Sequence, residues 1–160
     1  MDIKEAVRRS MQTEKNAMDF YTRVAAECSN DKARKLFELL AREESEHAHW
    51  FYDVYPGDDI DFDSFIGAAA DTGSDWLSEL DKVKAGALNE QKAMELAMEK
   101  EKKLEEHLRA MAAKVEEPGV RKVFEDNAKS TANHYALIES EYARIMGMVH
   151  ESDIDTFVRE

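Results

Sequence analysis

The stretch Leu36-Phe-Glu-Leu-Leu-Ala-Arg-Glu-Glu-Ser-Glu-His47 decides the fold, because its key residues recur in register 87 positions downstream. Phe37 maps onto Phe124 and His47 onto His134. Beyond the stretch, Glu14 maps onto Glu101 and Tyr55 onto Tyr142, all without a gap. One mismatch falls where the chemistry depends on it: Glu44, the acid of Glu44-Ser-Glu-His47, corresponds to Thr131 of Thr131-Ala-Asn-His134. A doubled set of inward carboxylates and imidazoles points to a two-metal site between two helical hairpins. The missing acid marks half of that site as altered.

Four long stretches free of Gly and Pro surround these residues, and each carries an apolar stripe at heptad spacing. The first joins Val7, Met11, Glu14, Met18, Tyr21, Ala25 and Cys28; the second joins Ala33, Phe37, Leu40, Glu44, His47, Phe51 and Val54. The third runs from Met94 through Ala97, Glu101, Leu104, Leu108 and Met111 to Val115. The fourth runs from Val120 through Phe124, Asn127, Thr131, His134 and Ile138 to Ile145. Residues three or four apart share a helix face, so each stripe is one buried face, and four such helices make an all-α four-helix bundle.

The breaks fix the connections. Ser29-Asn30-Asp31 offers caps for the second helix, and Glu117-Pro118-Gly119 does so for the fourth. Short links make helices one and two one antiparallel hairpin, and helices three and four another. Pro56-Gly57 stops the second helix, and roughly thirty residues pass before the third takes hold near Asn89, which suits a crossover running the length of the bundle. Within it, Ser74 or Asp75 is placed to cap a short helix carrying Trp76, Leu77, Leu80 and Val83, covering the bundle or a dimer surface. Gly147 is expected to end the fourth helix. The acidic link from Asp58 to Asp63 lacks the turn glycine and bidentate acid of an EF-hand and reads as solvated.

Composition bounds the partners. A chain of 160 residues is expected to form a single domain over 1–160, with 35 acids against 22 bases and a formal charge of −13. That balance argues against nucleic acid and anionic membranes, which need clustered Lys and Arg. Cys28 is the one cysteine, leaving no internal disulfide and no Cys-x-x-Cys metal knuckle. The N-terminal residues carry no apolar signal core, and no apolar run approaches the roughly 20 residues that span a bilayer. A cytoplasmic location is expected.

Each stripe is apolar except at its middle, where Glu14, Glu44 with His47, Glu101 and His134 interrupt it. An unpaired buried carboxylate costs several kcal/mol, so three acids and two imidazoles at one level need a neutralising partner. A pair of divalent cations supplies it; Glu-x-x-His on one helix chelates a single ion. The bland readings belong beside this one. His49 lies roughly 200° round the helix from His47 and faces away, and His107 and His150 fall off the stripes. Glu101 sits in a run of charges that is ordinarily a solvated face, and only its register with Glu14 lifts it out. The methionines are core filler.

The segments Glu14-Lys-Asn-Ala-Met-Asp-Phe-Tyr21 and Leu36 to His47 resemble the rubrerythrin branch of the ferritin-like superfamily, over roughly residues 5–55 and 88–146. The resemblance implies a non-haem di-iron oxidoreductase that reduces peroxide or oxidises ferrous iron, commonly as a homodimer. It implies Glu14, Glu44, His47, Glu101 and His134 as metal ligands. Tyr21 matches the family's tyrosine that hydrogen-bonds a ligand carboxylate. Three departures stand out. Thr131 replaces the second bridging glutamate. Leu104 sits where peroxide-reducing members carry an extra carboxylate, and the second-half Phe-Tyr pair becomes His107-Leu108. One cysteine cannot build a rubredoxin module, so electrons must come from a separate donor protein.

Three carboxylates leave two divalent ions at +1. A hydroxide held by the Thr131 hydroxyl would restore neutrality; otherwise the second ion binds weakly, and Glu105 is the only stand-in acid on the third helix. Tight binding is expected at Glu14, Glu44 and His47, and looser binding beside Glu101 and His134. Iron is expected, with manganese and zinc sharing the same ligand chemistry. The alternative is a non-catalytic metal-binding bundle whose second half-site is degraded.

Overall fold

The computed structural model describes the backbone of residues 1–83 and 90–158, and the side chains of residues 1–81 and 90–147. Six helices follow one another: α1 (Ile3–Glu27), α2 (Asp31–Asp53), α3 (Phe62–Ile66), α4 (Asp75–Val83), α5 (Glu90–Lys114) and α6 (Pro118–Val158). No strand occurs among the described residues. The long pairs α1/α2 and α5/α6 pack as two hairpins, and α2 meets α6 across the bundle. This is the ferritin-like bundle that the stripes imply.

Local chemistry sets the boundaries. The Asp2 side chain accepts from the Glu5 backbone N–H at 3.1 Å and opens α1. Asn30 accepts from the Ala33 N–H at 2.9 Å and opens α2, so Asn30 serves as the cap in the Ser29-Asn30-Asp31 link. Pro118, which has no N–H to satisfy, begins α6 while the Glu117 carboxylate accepts from the Gly119 and Val120 N–H groups at 3.0 and 2.7 Å. Ser74, rather than Asp75, caps α4, its hydroxyl accepting from the Leu77 N–H at 3.3 Å.

Two expectations need correction. Gly147 does not end the fourth helix: α6 continues through it to Val158. A glycine inside a helix costs about 1 kcal/mol relative to alanine but stops it only when it takes a left-handed conformation, and no glycine among the described residues does. The Asp58–Asp63 segment is also not all link. Asp61 accepts from the Ser64 N–H at 3.0 Å and nucleates the single turn of α3. Asn89, the expected start of the third long helix, lies outside the described residues, as does the side chain of Val83.

The crossover helix α4 packs on both α1 and α5 and so bridges the hairpins along their open side. Trp76 and Leu80 are buried there as cover for the bundle. The Trp76 ring meets Phe20 at 5.2 Å and Tyr21 at 5.8 Å between centroids, and Tyr21 stacks on Phe37 at 6.0 Å. Phe51 meets Phe124 edge-on at 4.9 Å, joining the hairpins. Phe37 and Phe124, the pair related by 87 positions, are both fully buried. Truncating Phe124 to alanine is expected to cost about 3–5 kcal/mol, against less than about 0.5 for Lys122→Ala on the same helix. Urea unfolding measures both, and equal losses would contradict the packing described.

Candidate metal centre

The centre is built at mid-bundle, where one turn of each long helix turns a polar side chain inward. Glu14, Glu44, Glu101, Thr131 and His134 have no exposed surface, and His47 is 1% exposed. The structure therefore brings together all five residues singled out from the sequence, together with Thr131.

Glu44 occupies the middle. Its Oε1 lies 2.8 Å from His134 Nδ1, and its Oε2 lies 3.6 Å from His47 Nδ1. Glu14 Oε2 is 3.5 Å from His47 Nδ1 on one side, and Glu101 Oε1 is 3.7 Å from His134 Nδ1 on the other. The two imidazoles stack at 5.0 Å between centroids, with planes 10° apart. The donors of Glu44, His47 and His134 all fall within 4.8 Å of one another, the spacing of groups that share an ion. One carboxylate thus serves both halves, a division that the sequence alone did not reveal.

The outer nitrogens are tied down. His47 Nε2 sits 2.7 Å from Ser130 Oγ, and His134 Nε2 sits 2.8 Å from Glu43 Oε1. Both contacts fix the rings with Nδ1 facing inward, the role outer partners play for metal-binding histidines. Sequence reading missed Glu43 and Ser130, although the repeat carries the signal: each immediately precedes the Glu44/Thr131 position and the two are themselves 87 apart. The contacts also show α2 and α6 to be antiparallel, since four residues forward on one match four back on the other.

On the third long helix, the Tyr21 hydroxyl donates to Glu101 Oε1 at 2.6 Å and holds that carboxylate in place. Glu105 does not stand in for the missing acid, because it turns away to accept from Arg109 Nε at 2.8 Å. The buried lysines do not neutralise the cluster either. Lys15 pairs with Asp19 and Lys100 with Glu79, each at 2.7 Å. His49 and His107 face solvent, as their helical phase implies, while the His150 side chain lies outside the described residues.

These residues fit a bound metal ion. Both oxygens of Glu14, Glu44 Oε2, one oxygen of Glu101, His47 Nδ1 and the Thr131 hydroxyl are buried without a hydrogen-bond partner, while Glu44 Oε1 and His134 Nδ1 have only each other, at 2.8 Å. Buried polar atoms are nearly always paired, so this many orphans converging on one point marks a place built for ligands. The donor set, carboxylate oxygen with imidazole nitrogen, suits first-row divalent metals. A cleft of about 380 Å³ opens among α1, α4 and α5, with Thr13, Trp76, Lys100 and Leu104 in its walls and none of the cluster residues among its lining.

The electrostatics tell the same story with protons in place of metal. Burial, reinforced by the Glu44 charge, pushes Glu14 well above the usual carboxylate range. Glu101 is raised by the same two causes, with His134 and Tyr21 offsetting part of the effect. Burial also works against the Glu44 charge, but Glu14 and the two imidazoles around it hold Glu44 below the usual range. Burial lowers the histidines, yet the carboxylates overcome it and bring His47 up to about 10 and His134 to about 11. Burial and the neighbouring carboxylates raise Tyr21, so its phenol stays protonated as a donor.

Without metal, the imidazolium form contributes stability that is complete below the unfolded value of about 6.5 and is lost as pH climbs through about 10 to 11. A cation needs bare Nδ1 atoms, so its uptake must expel those protons. Titrating metal-free protein with a divalent ion near pH 7 is expected to release protons. Calorimetry in buffers of different ionisation enthalpy measures that release. Uptake without proton release would contradict the protonation described.

A family model described as Rubrerythrin matches residues 5–142. No curated protein and no solved structure matches the chain. The matched span takes in both hairpins and every acid and imidazole of the cluster between them, and the chain belongs to the rubrerythrin family.

Proposed function

We propose that this protein is a non-haem di-metal oxidoreductase of the rubrerythrin type, acting on peroxide or on dioxygen with ferrous iron, with electrons drawn from a separate donor. The observation that carries the reading is the cluster of orphaned buried donors around Glu44. Glu14 with His47 would hold one ion, Glu101 with His134 would hold the other, and Glu44 lies within reach of both. When bound, a pair of iron ions supplies the redox electrons and a Lewis-acidic seat for the oxygen substrate.

The chain's own residues do the rest. Ser130 and Glu43 lock the imidazoles in the ligating orientation. Tyr21 holds Glu101 through its phenolic proton. Burial and the neighbouring Glu44 charge push the Glu14 carboxyl toward its protonated form, which a bound cation would oppose. The bundle excludes bulk water from the centre, whose acids and His134 have no exposed surface. Thr131 puts a neutral hydroxyl where the repeat offers a fourth carboxylate, so the half of the site with Glu101 and His134 binds its ion more weakly.

Thr131 also favours a second reading, a bundle that holds metal without turnover. One experiment separates the two. The protein is loaded anaerobically with ferrous iron and mixed with hydrogen peroxide while oxidation is followed by absorbance. The oxidoreductase reading expects fast oxidation of close to two irons per chain, and the binding reading expects slow oxidation of one or none. Thr131→Glu is expected to tighten the second ion by about tenfold or more, the scale of a charged ligand gained in a buried site. Metal titration reads this directly, and an unchanged second affinity would count against the paired-site argument.

A further inference from the structure

Apart from Met1, the large apolar side chains that stand out into solvent among the described residues are Trp50 and Leu137. They are not scattered. Each lies three residues after a histidine of the centre, His47 and His134, and the two are themselves related by the 87-position repeat. Both therefore emerge on the α2/α6 side, where His47 meets Ser130 and His134 meets Glu43.

The two positions differ in what they touch. The Trp50 ring packs against the His47 ring at 5.0 Å between centroids while remaining 38% exposed. An aromatic side chain thus reaches from solvent to an imidazole of the centre with no atom between. Leu137, on the other half, has no π system.

The charges on this side are mostly acidic, although Arg144 falls within about 20° of Leu137, where it pairs with Glu141, and Asp126 pairs with Lys122. On a 100°-per-residue helix, Glu43 and Glu46 fall within about 40° of Trp50, and Asp126 falls within about 20° of Leu137. Asp53 flanks Trp50 a turn further on. The bases Arg42 and Lys129 are turned about 80° away from Trp50 and Leu137 respectively. Antiparallel pairing sets Leu137 level with Leu40, ten residues before Trp50. The two apolar points are therefore about 15 Å apart along the bundle, with the acids between and around them. Both fit in a single standard footprint of about 800 Å² per partner.

We infer that the α2/α6 face is the docking surface for a one-electron carrier protein with a basic rim, and that electrons enter the centre through Trp50 and His47. This rests on the redox reading above. Each carrier delivers one electron and leaves oxidised by one; two deliveries return two ferric ions to ferrous. Acidic side chains steer a basic partner, and the apolar pair seats it where the path to the centre is shortest.

The test uses the full chain with a lysine-rimmed, low-potential c-type cytochrome as probe. Association is first measured by calorimetry on metal-free protein, so that it does not depend on iron loading. Trp50→Ala and Leu137→Ser are each expected to weaken it by about tenfold, and Glu46→Lys by more. Rising salt should weaken it further, while His107→Ala, on the α1/α5 side, should leave it unchanged. In iron-loaded, oxidised protein, Trp50→Phe should keep the rate of reduction by the cytochrome, and Trp50→Ala should slow it at unchanged iron content. Association indifferent to Trp50, Leu137 and Glu46 overturns the inference even if the iron chemistry above holds. So does a sedimentation result in which Trp50→Glu or Leu137→Glu converts a dimer to monomer, because the face then belongs to a second copy of the chain. If the cytochrome binds as expected but peroxide oxidation fails, the docking surface stands and the oxidoreductase reading falls.

Discussion

Three carboxylates and two imidazoles sit in the middle of this bundle with almost no contact with water, and the rest of the structure has to accommodate that cost. Burying one ion without a partner costs several kcal/mol after relaxation, and the nearby lysines are committed to Asp19 and Glu79. The metal-free chain meets the cost with protons: the carboxylates raise both imidazoles far above their ordinary range, and burial pushes Glu14 toward its protonated form. Divalent cations would meet it through the same carboxylate and imidazole donors. Burial therefore makes the site both a liability when empty and a strong ligand set when filled.

The packing around the centre follows from that requirement. Donors within 4.8 Å of one another need helices that do not slip, and the aromatic contacts supply the stiffness. Phe51 against Phe124 fastens the two hairpins, and Tyr21 between Phe37 and Trp76 fastens the first hairpin to the crossover helix. Tyr21 belongs to both systems, since its ring is core and its hydroxyl holds Glu101. The crossover helix is more than a connection, because it carries Trp76 onto Tyr21 and so closes the core above the centre.

The two halves share a register but are not equivalent. Glu43 tethers His134 with a carboxylate where Ser130 tethers His47 with a hydroxyl, and Thr131 faces the centre where the repeat has Glu44. A carboxylate partner makes an imidazole a stronger donor, so His134 is strengthened on the side that lacks the acid. Trp50 and Leu137 extend the asymmetry to the surface, with an aromatic ring on one half and an aliphatic side chain on the other.

The sequence by itself determined the fold class, the hairpins, the helix caps and the level at which the polar residues meet. All of these follow from periodicity and from single residues such as Asn30 and Pro118 that act locally. It also determined that Glu14 and Glu101 belong together, since register is preserved without any knowledge of depth. Helix continuation past Gly147 escaped it, because helical glycine is a matter of context rather than of residue type. Only the tertiary structure decided that Glu44 stands between both imidazoles, that Glu105 turns to Arg109, and that Ser130 and Glu43 grip the outer nitrogens. Those contacts cross from one hairpin to the other. A helical pattern fixes which way a side chain points on its own helix, but not what it meets on the next.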